Sequence, residues 1–516
     1  MKSKHLLTSL VLFCCFFFTV FVFAAFGRHF TDADMASEFV YASLLNREGS
    51  LHTNNWVYSS ELRIVAPTPV YRLALSLFSS WHIARVISAA FLLACVLAAF
   101  LYMLHPCHLI AGGLLSACIF SLPFAHVYAY FVCYGSHYTI HLILIYLMMG
   151  MLLRAEQKQG RVRRLLLSLL FSLWGGLGGV RIAMMFAAPA AIALIWECIS
   201  IMTGNDAKAA CSRLPKGQLL CLAAILAGNF IGLFLNMRIL SSLFAFDSHI
   251  ATPVVIPTAE EFFSHLWDFF SFFGMRESSR MLSARGIATY VSIGLGLSCL
   301  CALIGQIKRK TLIPAADRIL ARFAIAALFL GFFVNLFSQN FGSQYYIVGL
   351  IAAVVSVDSY LACTNNRPKE LIALAALVFA SCFALETIIF VRQEMPKTAT
   401  NEEQAAEWLL QNGYTRGYAT FWHGAPITEA SNGQIEIWVL EEPVFSDNWR
   451  NLHLNDILQE KKHFSEPPED AVFVCLFDNE NSNPPSWASE SHLAVRANWG
   501  SVYTYENAAA LHELLN

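Results

Sequence analysis

Asp32, Asp34 and Glu38 follow closely on a run, Leu6–Phe26, that carries no charge and is long enough to cross a bilayer. Carboxylates held at a membrane edge are costly to bury and are commonly functional. A carboxylate there can take the proton of a hydroxyl delivered at the interface, and the alcohol can then attack an electrophilic carbon. Asp34 is the candidate for this general base. Its bland alternative is an acid in the first turn of a helix, complementing the helix dipole. Asp32 fits that bland role better, because it sits at the predicted cap. Glu38 lies four residues beyond Asp34 and so shares its helix face.

The elements that must hold these groups are read from composition first. The chain has 516 residues, of which 57% are hydrophobic and 14% charged. Soluble domains carry about 25% charged residues, so the composition excludes a soluble enzyme with an anchor and predicts a polytopic membrane protein. The net charge of −2 hides a division. Residues 1–392 carry a net +11 and residues 393–516 a net −13. A basic membrane part, 1–395, is thus expected to precede an acidic, water-soluble part, 396–516. Most of the fourteen Cys fall in apolar runs, where they act as small hydrophobes. Cys475 is alone in the acidic part, so no disulfide framework is implied there.

About eleven spans of membrane-crossing length are predicted, at 6–26, 82–104, 107–127, 130–153, 165–180, 184–202, 217–239, 287–307, 322–340, 344–363 and 370–391. A cytoplasmic N-terminus puts 17 Lys and Arg in the short loops of one side and 8 in the long loops 27–80 and 238–286 of the other. That bias orients the long loops and the acidic tail outside. The first span reads as an uncleaved anchor, since its apolar core exceeds that of a signal peptide. Within loop 27–80 a helix is predicted from Asp32 to about Asn46, ended by Gly49. Met35, Phe39 and Ala42 are expected to face lipid. Trp56, Tyr58, Tyr71 and Trp81 suit an interfacial belt. Loop 238–286 carries the amphipathic EEFFSHLWDFFSFF, expected to lie on the surface, with Glu260, Glu261 and Asp268 solvated. The tail alternates a helix (EEQAAEWLLQNGY), strands at GYATFW, QIEIWVL and AVFVCLF, and a last strand and helix in SVYTYENAAALHELLN. This predicts a small α/β domain.

The first span followed by DMASEFVYASLLNREG resembles the GT-C superfamily of integral-membrane glycosyltransferases. In the branch with the protein O-mannosyltransferases and lipid A aminoarabinose transferases, the first external loop opens on Asp-Glu and runs as a helix to a Gly fifteen residues later. Counting back from Gly49 lands on Asp34. Met35 stands where the family has its Glu.

The resemblance implies a sugar donor linked to a polyprenyl phosphate lipid and an acceptor hydroxyl on a glycan, lipid or protein. Asp34 would deprotonate that hydroxyl, which displaces the phosphate with inversion. Arg63, Arg181, Arg276, Arg280 and Arg285, all on the external side, are candidates to hold the departing phosphate, because guanidinium pairs bidentately with its oxygens. Each has a plainer use in binding lipid headgroups. Arg63 is favoured because it follows Glu61 within the same loop as Asp34, and Arg181 because it interrupts an apolar stretch; Glu38 and Glu61 are candidates to bind substrate. Tyr345 resembles an aromatic element at the start of a late family span, though the family's Arg and Pro are missing; an aromatic belt is the plainer reading. No metal is implied by ligand spacing, and a divalent cation is left open as a cofactor.

Other patterns weigh less. His137 and His141 lie on one helix face without a third ligand at zinc spacing. GGLGG (175–179) lacks the phosphate-loop signature and suits close helix packing. The dense GYATFWHGAPITEASNGQIEIW of the tail can stack on a carbohydrate or serve as core. A nucleic-acid partner is not expected. A lipid-linked saccharide flippase is the runner-up, disfavoured by the lack of an inverted repeat and by sparse mid-span charges. A non-catalytic membrane scaffold with a carbohydrate-binding tail is the third class.

Overall fold

The computed structural model describes residues 2–59, 62–104, 116–123, 128–135, 138–203, 214–244, 256–271, 314–337, 399–443, 447–477 and 485–515, with a few isolated positions between them. Helix α1 (Lys2–Phe26) contains the charge-free run, and a single 3-10 turn, Gly27–Phe30, leads from it to α2 (Ala33–Glu48). Asp32 caps α2 by accepting the Met35 amide, and Gly49 closes it in the left-handed conformation at φ 66°. Both ends therefore fall where side-chain and glycine capping dictate. A two-residue strand β1 (Trp56–Val57), α3 (Thr68–Leu77) and α4 (Trp81–Leu104) follow.

Among the described residues five helices are long and apolar enough to cross a membrane: Leu6–Phe30, Trp81–Leu104, Ala183–Met202, Lys216–Phe244 and Ala315–Leu336. Four coincide with predicted spans, and Ala315–Leu336 overlaps the span predicted at 322–340 but begins seven residues earlier. A sixth, predicted at 130–153, is broken: a π-helical turn, Ala129–Cys133, meets Gly135 at φ 80° before α5 (Tyr138–Leu153) begins. The span predicted at 165–180 is α6 (Arg161–Leu177). The remaining elements are α7 (Ala188–Met202), α8 (Lys216–Leu235), α9 (Ala259–Ser271) and α10 (Ala315–Leu336). The spans predicted at 107–127, 287–307, 344–363 and 370–391 lie wholly or largely outside the described residues.

Helices α6 and α8 pack backbone to backbone. A Cβ at Gly176, Gly228 or Gly232 would collide with the carbonyls of Asn229, Leu169 or Leu173. GGLGG is thus a packing surface, with the small-residue spacing that lets helices approach closely. Glu197 on α7 binds Arg318 at 2.6 Å and also pairs with Arg322, both on α10, so these helices are joined by a largely buried ion cluster.

The acidic part begins with α11 (Asn401–Gln411), whose N-terminus is a capping box made by Thr400 and Glu403. Strand β2 (Arg416–Thr420), helix α12 (Phe421–Ala430) and β3 (Glu436–Leu440) form a parallel crossover. After β4 (Gln459–Glu460), strands β5 (Val472–Phe477), β6 (Leu493–Ala497) and β7 (Gly500–Tyr505) complete a sheet in the order β3-β2-β5-β7-β6, and α13 (Ala508–Glu513) closes the chain. β5 is parallel to β2 and antiparallel to β7. Two apolar clusters cover its faces, one around Leu409, Ile427 and Phe473, the other around Trp438, Trp487 and Tyr503.

Three expectations change. Phe421 and Trp422 open a helix instead of ending a strand, because β2 stops at Thr420. Met35, Phe39 and Ala42 are buried in protein, since α2 packs against α3, α4 and α12. Trp56, Tyr58, Tyr71 and Trp81 are buried too and form no belt. Their cover comes partly from the tail: β1 pairs antiparallel with β4, Trp56 opposite Glu460, and Leu458 packs in the cluster around Trp56. Helix α9 is exposed over residues 259–264, with Glu260 and Glu261 in solvent, as its amphipathic pattern predicts.

Candidate active site

The first turn of α2 gathers the carboxylates. Asp32 Oδ1 accepts the Met35 amide at 2.9 Å, and Oδ2 accepts the Tyr130 hydroxyl. Burial, with the neighbouring charge of Asp34, pushes the Asp32 carboxyl up to about 6; Tyr130, the Met35 amide and Arg85 oppose the shift. One residue-pair further along the helix, Asp34 is partly buried. Its backbone carbonyl accepts Ser37 Oγ at 2.7 Å. Its carboxylate takes no hydrogen bond from the described residues. Glu38 is buried and lies 3.4 Å from Arg63, which is buried with it. The charges of Asp32, Asp34 and Glu38 all bear on Tyr130, so the three acids share one neighbourhood.

Arg181 belongs to the same side of the fold. Its guanidinium lies 4.8 Å over the Tyr138 ring. Tyr138 packs edge-on to Phe131, which packs on Tyr130. The Arg63 segment reaches this region by a second route: Trp174 Nε1 donates to the Ile64 carbonyl at 3.1 Å, and Val65 fills the space beside Gly178. A chain of contacts thus runs from Asp32 through Tyr130, Phe131 and Tyr138 to Arg181, and Glu38 pairs with Arg63; Asp34 lies between Asp32 and Glu38 on the same helix. Glu61, Arg276, Arg280, Arg285, Tyr345 and His137 lie outside the described residues. His141 is buried in α5. No group of three His, Cys, Asp or Glu side chains able to hold a metal ion occurs among the described residues.

Sequence reasoning missed Arg85. It lies in the second turn of an apolar span, fully buried, and its Nε and Nη2 bind both carboxylate oxygens of Glu429 on α12. Nη2 also donates to the Met35 carbonyl at 3.0 Å, and the guanidinium lies 4.0 Å over the Phe39 ring. A single Arg in an otherwise uncharged span was the available signal. Beside it, a cleft of about 90 Å³ is lined by Arg28, Thr31, His82, Tyr134, Glu402, Glu429 and Asn432, among others. Arg28 pairs across it with Glu403, and His423 lies 2.8 Å from Glu402.

No protein-family model matches the chain, and no curated protein matches it in sequence. In overall path it is similar to several solved structures. The Archaeoglobus fulgidus oligosaccharyltransferase in its apo form is 12% identical with a TM-score of 0.46, over 90% of this chain and 69% of that one. The same protein in complex with Zn and sulfate is 13% identical with a TM-score of 0.46, over 90% and 68%. ArnT from Cupriavidus metallidurans bound to undecaprenyl phosphate is 11% identical with a TM-score of 0.42, over 97% of each chain.

Proposed function

We propose that this protein is a membrane glycosyltransferase. It takes a sugar from a polyprenyl-phosphate donor and passes it to an acceptor hydroxyl on the extracytoplasmic face. The observation that supports this reading most is the state of Asp34: a partly exposed carboxylate on a capped helix at the end of the first apolar span, taking no hydrogen bond from a described residue. Asp32 and Glu38 are committed to Tyr130 and Arg63, and Asp34 is left to accept a proton.

In this mechanism the acceptor hydroxyl gives its proton to Asp34. The oxygen bonds to the anomeric carbon as the carbon–oxygen bond to phosphate breaks, with inversion, and the polyprenyl phosphate leaves with the electron pair. Arg181, Arg276 and Arg280 hold the developing phosphate charge, and Arg63, paired with Glu38, braces the helix that carries Asp34. Glu61 and Tyr345 line the substrate. The membrane part spans 1–395, with a cytoplasmic N-terminus, and the domain 396–516 stands outside.

The test uses purified full-length protein in nanodiscs and radiolabelled polyprenyl-phosphate hexoses and pentoses. Wild type transfers label to a membrane-extracted acceptor, and Asp34→Asn loses transfer by at least about a hundredfold while inserting normally. Unchanged transfer by that variant overturns the role of Asp34. Movement of an unaltered labelled lipid across liposomes, without transfer, overturns the reaction itself.

A further inference from the structure

We infer that Glu429, in the C-terminal part of the chain, is a positioning residue for the catalytic turn of α2, acting through Arg85. The inference rests on the proposed role of Asp34.

Three observations meet at this point. Glu429 binds Arg85 through two parallel contacts at 2.5 Å, the geometry that fixes a guanidinium in one orientation. In that orientation Nη2 reaches the Met35 carbonyl, one residue beyond Asp34. Second, the turn that ends α12 locks the start of the helix carrying Arg85. Asn432 Oδ1 accepts the Trp81 amide at 2.7 Å, one of the donors that a helix N-terminus leaves unsatisfied. Gly433, in the left-handed conformation at φ 75°, lies so close to Trp81 that a Cβ would stand 2.6 Å from its ring. Third, α12 packs directly along α2. One short stretch of the tail, Glu429 to Gly433, thus sets the first turn of α4, and Arg85 carries that setting to α2. Glu429 touches no reacting atom. It holds the base where a proton can be taken, and reaction geometry of this kind is lost with small displacements.

Hydrogen exchange on the full-length protein in nanodiscs tests the contact without any substrate. In Glu429→Gln the amides of Met35 and Ala36, which bond to Asp32, are expected to exchange at least about tenfold faster. Glu403→Gln removes the other ion pair at this junction and is expected to leave them unchanged. Kinetics with the labelled polyprenyl-phosphate sugars should show kcat lowered about tenfold or more in Glu429→Gln, with KM for the donor within about twofold. Because Glu429→Gln leaves Arg85 buried without its countercharge, a second variant is needed. Arg85→Met with Glu429→Leu removes both charges and is expected to recover the thermal midpoint but not kcat, since Met35 still lacks its donor. Unchanged exchange at Met35 and Ala36, or full recovery of kcat in the double variant, overturns the inference. If wild type transfers no sugar, the proposed function falls, and the exchange measurement alone then decides whether Glu429 orders α2.

Discussion

Arg63 lies 3.4 Å from Glu38 with both side chains almost fully buried. This joins the loop after β1 to the middle of α2. Breaking a buried pair leaves the surviving charge uncompensated. Arg63→Gln should therefore lower stability by about 3 kcal/mol, read as a fall in thermal midpoint in detergent. Arg63→Gln with Glu38→Gln should recover most of that loss, because no buried charge remains.

Asp32 sets a pH signature. Its carboxyl is raised to about 6 in the fold, so the neutral form is favoured there. The resulting stability is present below the unfolded value near 4 and is lost as pH rises through about 6. Asp32→Asn keeps a capping side chain and carries no charge. It should match wild type below pH 4 and exceed it by about 1–2 kcal/mol above pH 7, allowing for partial solvent screening. Unfolding midpoints at the two pH values check this.

Glu436 gives the opposite sign in the tail. It pairs with Lys462 and lies 3.1 Å from His463. Burial raises its carboxyl, but the hydrogen bonds and charges of His463 and Lys462 outweigh burial and bring it down to about 2. That stability is present above about 4.5 and lost as pH falls toward 2. Glu436→Gln should cost about 2 kcal/mol at pH 7, with the difference from wild type vanishing near pH 2.

Gly232 tests the helix pair α6–α8. An alanine there would drive its Cβ into the Leu173 carbonyl and the backbone around Gly176. Overpacking of this kind costs about 1–3 kcal/mol. Gly232→Ala should lower the yield of folded protein, while the protein that does fold keeps its specific activity. Midpoint and activity measured on one preparation separate the two effects.

What was legible in the sequence is what local chemistry decides. Asp32 and Gly49 bracket α2 because capping needs only the residues at the ends. QIEIWVL and AVFVCLF are strands because their β-branched and aromatic content suits a pleated surface. Charge and length marked four spans outright. What was not legible depends on distant partners. Trp56 and Tyr71 read as belt residues because nothing nearby shows that protein covers them. Arg85 passed unnoticed because Glu429 lies 344 residues away. Phe421 misled because aromatic content favours a strand, whereas Thr420 is where β2 gives way to α12. Strand β6 was missed because LAVRA alternates only between half-buried and exposed positions at the sheet edge.

The pairing of β1 with β4 has a consequence in time. Trp56 leaves the ribosome some four hundred residues before its partner Glu460. At synthesis rates of about 5–20 residues per second, the nascent first loop waits on the order of twenty seconds or more with an unpaired strand edge and uncovered aromatic side chains. Its maturation therefore waits on the tail, and any chain that stalls before Glu460 displays that edge to the quality-control machinery.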